Sequence, residues 1–196
     1  MLENLRPISL LNIDDKILTK SRAKRLEIIN PNQTGYVKDR FMGENVRLIQ
    51  DDMFYTKQQE KSGIAIFLDF RKAFDTDKWD YLKVALQRVF FFHFGPDILN
   101  WFDVNYNNAS FYVLHNVHAS DFFLLERGVR QVCPLSCLLL VIGIELLSSA
   151  LQKDATIRGI QVSQRERNIT QYVDDTTVLV RDLDSVLAAI EALKQF

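Results

Sequence analysis

Apolar positions recur with helical spacing over residues 14–29 (DDKILTKSRAKRLEII), and Pro31 stops the pattern. A second helix is predicted over 43–63 (GENVRLIQDDMFYTKQQEKSG), closed by Gly63, with polar residues thickening toward its end. The spacing then changes. Residues 64–70, IAIFLDF, form a continuous run of β-forming residues between a glycine and a group of charges, which predicts a buried strand. Helical spacing returns over 77–92 and extends or restarts over 96–106. Residues 110–127 predict two strands joined around His115 to Ser120. Pro134 opens a helix that is apolar on nearly all faces (LSCLLLVIGIELLSSAL), because proline suits the first helical turn. Short strands at 158–162 and 169–180 and an amphipathic helix over 183–196 complete the chain. Helices and hairpin strands intermixed without regular βαβ alternation predict an α+β fold rather than a doubly wound sheet.

Composition narrows the class. With 196 residues, 47% hydrophobic and 25% charged, the chain is long enough for one sizeable core. Lys and Arg total 24 against 25 Asp and Glu, so overall charge gives no argument for a nucleic-acid partner. A local patch does: Lys16, Lys20, Arg22, Lys24 and Arg25 cluster near the start, and Lys16, Lys20 and Lys24 share one helical face. Such a stripe serves equally as a solvated helix face or as a contact for phosphates. Cys133 and Cys137 match no common zinc spacing and no disulfide framework, and His93, His115 and His118 are scattered. A reducing compartment is expected. The longest apolar run, Leu138 to Ile144, is far shorter than the ~20 residues of a membrane span, and the start lacks a signal-like core. No membrane partner is expected.

The stretch QYVDDTTVLV, 171–180, sets Asp174 and Asp175 between two apolar runs. Paired aspartates between strands are ordinary turn chemistry. A third carboxylate, Asp69, ends the strand IAIFLDF, where an acid either caps the next segment or finds a cation. Should the two strands neighbour each other, three carboxylates converge at one edge, a donor set suited to two divalent ions in phosphoryl transfer.

The segments LDFRKAFDTDKWDYL, RGVRQVCPLSCLLL and QYVDDTTVLV, in this order and spacing, resemble the A, B and C palm motifs of reverse transcriptases. Upstream, RPISLLNIDDKILTKSRAKRL and NQTGYVKDRFMGENV resemble the finger motifs of the non-LTR (LINE-type) retrotransposon enzymes. The resemblance spans Arg6 to about Leu193. It implies the fingers and palm of a right-hand polymerase, with an antiparallel palm sheet packed on helices. Residues 1–62 would form the fingers segment and 63–196 the palm.

By the same resemblance, Asp69, Asp174 and Asp175 bind two Mg²⁺ ions, with Mn²⁺ as a substitute. Phe74 matches the bulky residue that crowds a ribose 2′-hydroxyl, although by spacing alone it is equally a core aromatic. Gln131 matches the glutamine near the incoming nucleotide or template. Lys38 and Arg40 resemble residues that hold the triphosphate, and Arg71 and Lys72 are expected near the same phosphates. Each of these cations is also an ordinary surface charge. The basic residues at 16–25 would contact nucleic-acid phosphate. The implied partners are an RNA template, a DNA primer and dNTPs, and the parent element is expected to act in the nucleus or cytoplasm.

Three departures from the family pattern stand out. Val132 follows Gln131 where the family usually has glycine, and Cys137 follows Ser136 where it has proline. A β-branched residue resists the close approach that glycine allows beside the nucleotide. The hairpin turn usually written Asn-Gly is Asn116-Val117. The family's endonuclease and thumb are not in the sequence, so it is expected to be a fragment of a larger polyprotein, truncated before the thumb. Alternatives are an inactive remnant that at most binds nucleic acid, a protein-interaction module, and a group II intron-type enzyme.

Overall fold

The computed structural model describes residues 29–90, 97–130, 133 and 135–196. The predicted helix over 14–29 therefore falls almost wholly outside the described residues, as do Lys16, Lys20, Arg22, Lys24, Arg25, Gln131, Val132 and Pro134. The described elements run α1 (Met42–Gln58), β1 (Ile64–Leu68), α2 (Ala73–Thr76), α3 (Trp79–Phe90) and α4 (Asp97–Tyr106). Four short strands follow: β2 (Ser110–Phe111), β3 (Leu114–His115), β4 (His118–Ala119) and β5 (Phe123–Leu124). Then come α5 (Ser136–Lys153), β6 (Ile160–Val162), β7 (Arg165–Arg167), β8 (Ile169–Tyr172), β9 (Asp175–Val180) and α6 (Leu183–Gln195). The class is α+β: an antiparallel sheet in the order β1-β9-β8, with helices packed on it and three small hairpin ladders.

α1 ends before the predicted Gly63. Glu60 takes a left-handed φ of 51°, Lys61 N–H bonds to Thr56 O at 2.9 Å and Glu60 N–H to Lys57 O at 3.2 Å. This is the Schellman closure, with glutamate in the place glycine usually takes. The helix also inverts the usual pattern: it buries Asn45 and Asp52 and leaves Met42, Val46, Met53 and Phe54 exposed. The two polar residues reach sheet groups. Asn45 Nδ2 donates to Gln171 O at 2.7 Å, and Asp52 pairs with Arg167 of β7.

β1 is an edge strand rather than a buried one. Among the described residues it pairs only with β9, and of its residues Ile64, Ile66 and Leu68 pack on the core while Phe67 is 70% exposed. A period of two on a one-sided sheet requires this split, which a uniformly apolar run conceals. Residues 110–127 form two nested ladders, β2 with β5 and β3 with β4, in place of two continuous strands. Between the ladders the Ser120 hydroxyl accepts the Val113 N–H at 2.9 Å, so a side chain replaces a rung. The polar strand β7 was not predicted. α6 falls where its periodicity places it, capped by Asp182, whose carboxylate accepts from Ser185 N–H at 2.9 Å.

Two apolar clusters form the core. One gathers Leu82, Ala85 and Leu86 of α3, Phe102 and Tyr106 of α4, and the first half of α5. The other lies between the sheet and α6, with Leu147 and Leu151 of α5, Val178, Val180 and Ala189. Phe70, just past β1, packs against both. α5 is long and apolar enough by length and composition to cross a membrane, a longer element than the run Leu138 to Ile144 suggested. Its 61% burial inside the protein accounts for that apolarity as core packing.

Candidate active site

The strand register brings the three predicted carboxylates to one end of the sheet. β1 and β9 pair from Ile64↔Val180 to Leu68↔Thr176, so Asp69 follows immediately where Asp175 begins β9. Alternation sets both on the face opposite Leu68 and Val178, the same face as the exposed Phe67. Asp175 also pairs with Tyr172 across the two-residue turn Val173-Asp174. Asp69 and Asp175 are exposed and Asp174 is half-buried. Among the described residues, no three Asp, Glu, His or Cys side chains stand close enough to hold a metal ion. It is the backbone that gathers the carboxylates; their side chains are not closed around a point.

A fourth acid escaped the sequence reading. Asp77, just after α2, has its carboxyl pushed up to about 6, first by burial and then by the charge of Asp174. It lies beside α5, where a β-carbon on Gly143 would sit 3.7 Å from its Oδ2. Tyr81 hydroxyl donates to Gly143 O at 2.5 Å in the same region. Nothing in the spacing of AFDTDKW distinguishes Asp77 from its neighbours, because its surroundings come from α5 and the β8–β9 turn.

The segment at 30–36 straps the carboxylate turn from outside. Thr34 N–H bonds to Gln171 O at 2.9 Å and Gln171 N–H to Asn32 O at 2.8 Å, adding a parallel bridge to the edge of β8. Gln33, 1% exposed, bonds through its side-chain amide to Val173. Gly35 is necessary there, since a β-carbon would lie 2.4 Å from Val173 N and Cγ2. Tyr36 is hydrogen-bonded to Cys137 at the start of α5, and this bond, then burial, pushes its hydroxyl up to about 12. The residue that departs from the family pattern at 137 thus meets the strap.

Phe74 is half-buried against the first core cluster, and its carbonyl accepts from Val129 N–H at 2.7 Å. Gly128, with φ +84°, brings its backbone within reach of Asp75: a β-carbon there would sit 3.1 Å from Asp75 Cα and O. Gly128 N–H bonds to Asp77 O and Trp79 Nε1 to Gly128 O, both at 2.8 Å. The stretches after β1 and before α5 are therefore sewn together beside the carboxylates. Among the predicted cations, Lys38 and Arg71 are exposed, and Lys72 takes a left-handed φ of 53° at the N-cap of α2. Arg40 uses Nη1 to donate to Asn30 O at 2.8 Å and Gln33 O at 2.7 Å, a role in bracing the strap.

An antiparallel sheet backed by helices, with acids at one strand edge, is the arrangement of this chain, and solved structures share its fold. Telomerase from Candida tropicalis in complex with a fragment of telomeric RNA superposes with a TM-score of 0.61 at 14% identity, over 90% of this chain and 29% of that one. The apo telomerase of the same organism gives 0.58 at 13%, over 92% and 32%. In sequence, the family described as reverse transcriptase (RNA-dependent DNA polymerase) matches residues 2–196, and the chain belongs to it. It is 32% identical over 188 residues to the transposon TX1 uncharacterized 149 kDa protein of Xenopus laevis, and covers 14% of that protein. It is 27% identical over 199 residues to the retrovirus-related Pol polyprotein from type-1 retrotransposable element R2 of Popillia japonica, of which it covers 26%. Both relatives are named as proteins of mobile elements, a transposon and a retrotransposable element.

Proposed function

We propose that this chain supplies the fingers (1–62) and palm (63–196) of an RNA-directed DNA polymerase that extends a DNA primer on an RNA template with dNTPs. The observation that carries the reading is the β1–β9 register, which sets Asp69 beside Asp175 with Asp174 in the adjoining turn. Carboxylates are hard oxygen donors of the kind Mg²⁺ takes, and Mn²⁺ accepts the same set. Because Asp69 and Asp175 are exposed, their side chains can rotate toward an ion without disturbing the core. When bound, two such ions activate a 3′-hydroxyl and offset the charge on departing pyrophosphate.

The chain's own residues then orient the reactants, and orientation and fixed charge supply most of the acceleration in phosphoryl transfer. Phe74 crowds the sugar 2′-position, Lys38, Arg71 and Lys72 face the triphosphate, and Arg40 acts there mainly through the strap it braces. By the resemblance Gln131 would serve the incoming nucleotide or template, and the basic residues at 16–25 would contact nucleic-acid phosphates without reading sequence.

The test is primer extension on a primed RNA by the wild-type chain and by the Asp174→Asn, Asp175→Asn double variant, each shown to be folded. Extension lost in the variant supports the reading. Salt-sensitive RNA binding by both, with extension by neither, supports the inactive remnant instead.

A further inference from the structure

We propose that Gln33 is a positioning residue for the Asp174–Asp175 turn: its side-chain amide holds Val173 in a left-handed conformation that the valine would not keep alone. The proposal rests on the assignment of Asp174 and Asp175 as metal ligands.

Val173 has φ +57°. A β-branched residue is a steric outlier there, because its β-carbon crowds the backbone. Yet this residue reverses the chain between β8 and β9, and its conformation decides where the next two carboxylates point. Gln33 meets both polar groups of Val173 at once. Its Oε1 accepts from Val173 N–H at 2.8 Å, and its Nε2 donates to Val173 O at 3.0 Å. The same Oε1 accepts from Gly35 N–H at 2.8 Å.

Only a neutral amide of this length presents an acceptor and a donor side by side; a carboxylate would set a negative oxygen against the Val173 carbonyl. The glutamine is itself fixed. It is fully buried, its carbonyl accepts from Arg40 Nη1 at 2.7 Å, and the flanking residues are bonded to Gln171. Gly35 leaves the space that the Val173 side chain occupies. The finger strap and the carboxylate turn are therefore one mechanical unit, with Gln33 at the contact.

Two readouts test this on the full chain. Amide exchange of Val173, followed by NMR, reports the clamp without any metal: Gln33→Ala and Gln33→Glu should both speed it while the β1 amides keep wild-type protection. Mn²⁺ titration reports the consequence, and loss of a group that orients a ligand is expected to weaken binding roughly 10–100-fold. Val173→Gly in the Gln33→Ala background should restore the affinity, since glycine adopts positive φ unaided.

A Gln33→Ala chain that is folded and binds Mn²⁺ like the wild type overturns the proposal. So does lost affinity that Val173→Gly fails to recover, which would mark Gln33 as packing alone. A wild-type chain that binds no Mn²⁺ removes the ligand assignment; the exchange experiment then decides the clamp by itself, and unchanged Val173 exchange in Gln33→Ala refutes it.

Discussion

Arg167 Nη1 donates to Asp52 Oδ1 at 2.9 Å and so pins α1 to the β6–β7 hairpin. Asp52 is 1% exposed, its Oδ2 has no hydrogen-bond partner among the described residues, and burial raises its pKa in spite of Arg167. Removing the cation leaves an uncompensated buried acid. Arg167→Ala should lower stability by about 3 kcal/mol in urea denaturation at neutral pH. Adding Asp52→Asn should recover most of that loss, and an Arg167→Ala chain as stable as the wild type would show that the pair contributes nothing.

Asp77 ties stability to pH. Its carboxyl is held near 6 in the folded chain against an ordinary value of 3.8. Between those values the folded state binds more protons than the unfolded one, so this group makes stability fall as pH rises, and the loss is complete above the folded value. Asp77→Asn removes the effect. With divalent ions chelated, the variant should be more stable at pH 7 by on the order of 3 kcal/mol and equal to the wild type well below pH 4. Parallel stability curves for the two proteins across this range would contradict the assignment.

The turn between β3 and β4 carries strain in an exposed place. Asn116 and Val117 have φ of 46° and 69°, the type I′ geometry that favours Asn-Gly, and Val117 is 94% exposed. Its side chain contributes almost no packing, so relief of strain should dominate. Val117→Gly is expected to stabilise the hairpin by about 1 kcal/mol, read as slower amide exchange at Leu114 and Ala119. Faster exchange in the variant would mean that the unfolded-state entropy of glycine outweighs the strain.

Much of this fold was legible because its helices and strands differ in period. α6, α3 and the Asp174–Asp175 hairpin stand where spacing places them, and Asp69 was visible as an acid ending an apolar run. What escaped was whatever depends on a distant partner. Nothing in the sequence marks Asn45 and Asp52 for burial, and the backbone of β8 and the guanidinium of Arg167 are what give them partners inside. Gln33 is one polar residue in NQTG until Val173 is folded against it. Backbone geometry was hidden too: Glu60, Lys72 and Val173 take positive φ, where glycine is the usual residue.

Gly128 does meet that expectation and should not tolerate change. Its φ of +84° strains any side chain, and a β-carbon there would press on the backbone of Asp75 and Phe74 at 3.1–3.2 Å. Gly128→Ala is expected to cost about 2 kcal/mol and to release the Trp79 indole from its carbonyl partner. In a Trp101→Phe background, this should appear as a red shift of the remaining tryptophan emission. Unshifted emission with wild-type stability would show that the junction can give way.

The pairing of β1 with β9 has a consequence in time. Leu68 and Thr176 have most of the chain between them, so closing this ladder carries a large loop-entropy cost and nothing local can substitute for it. A nascent chain that has emerged only as far as α5 displays Asp69 on a strand whose partner β9 has not yet left the ribosome. Release and pairing of β9 is the step that brings the acids together, and a translation product that stops before β9 cannot make that pairing.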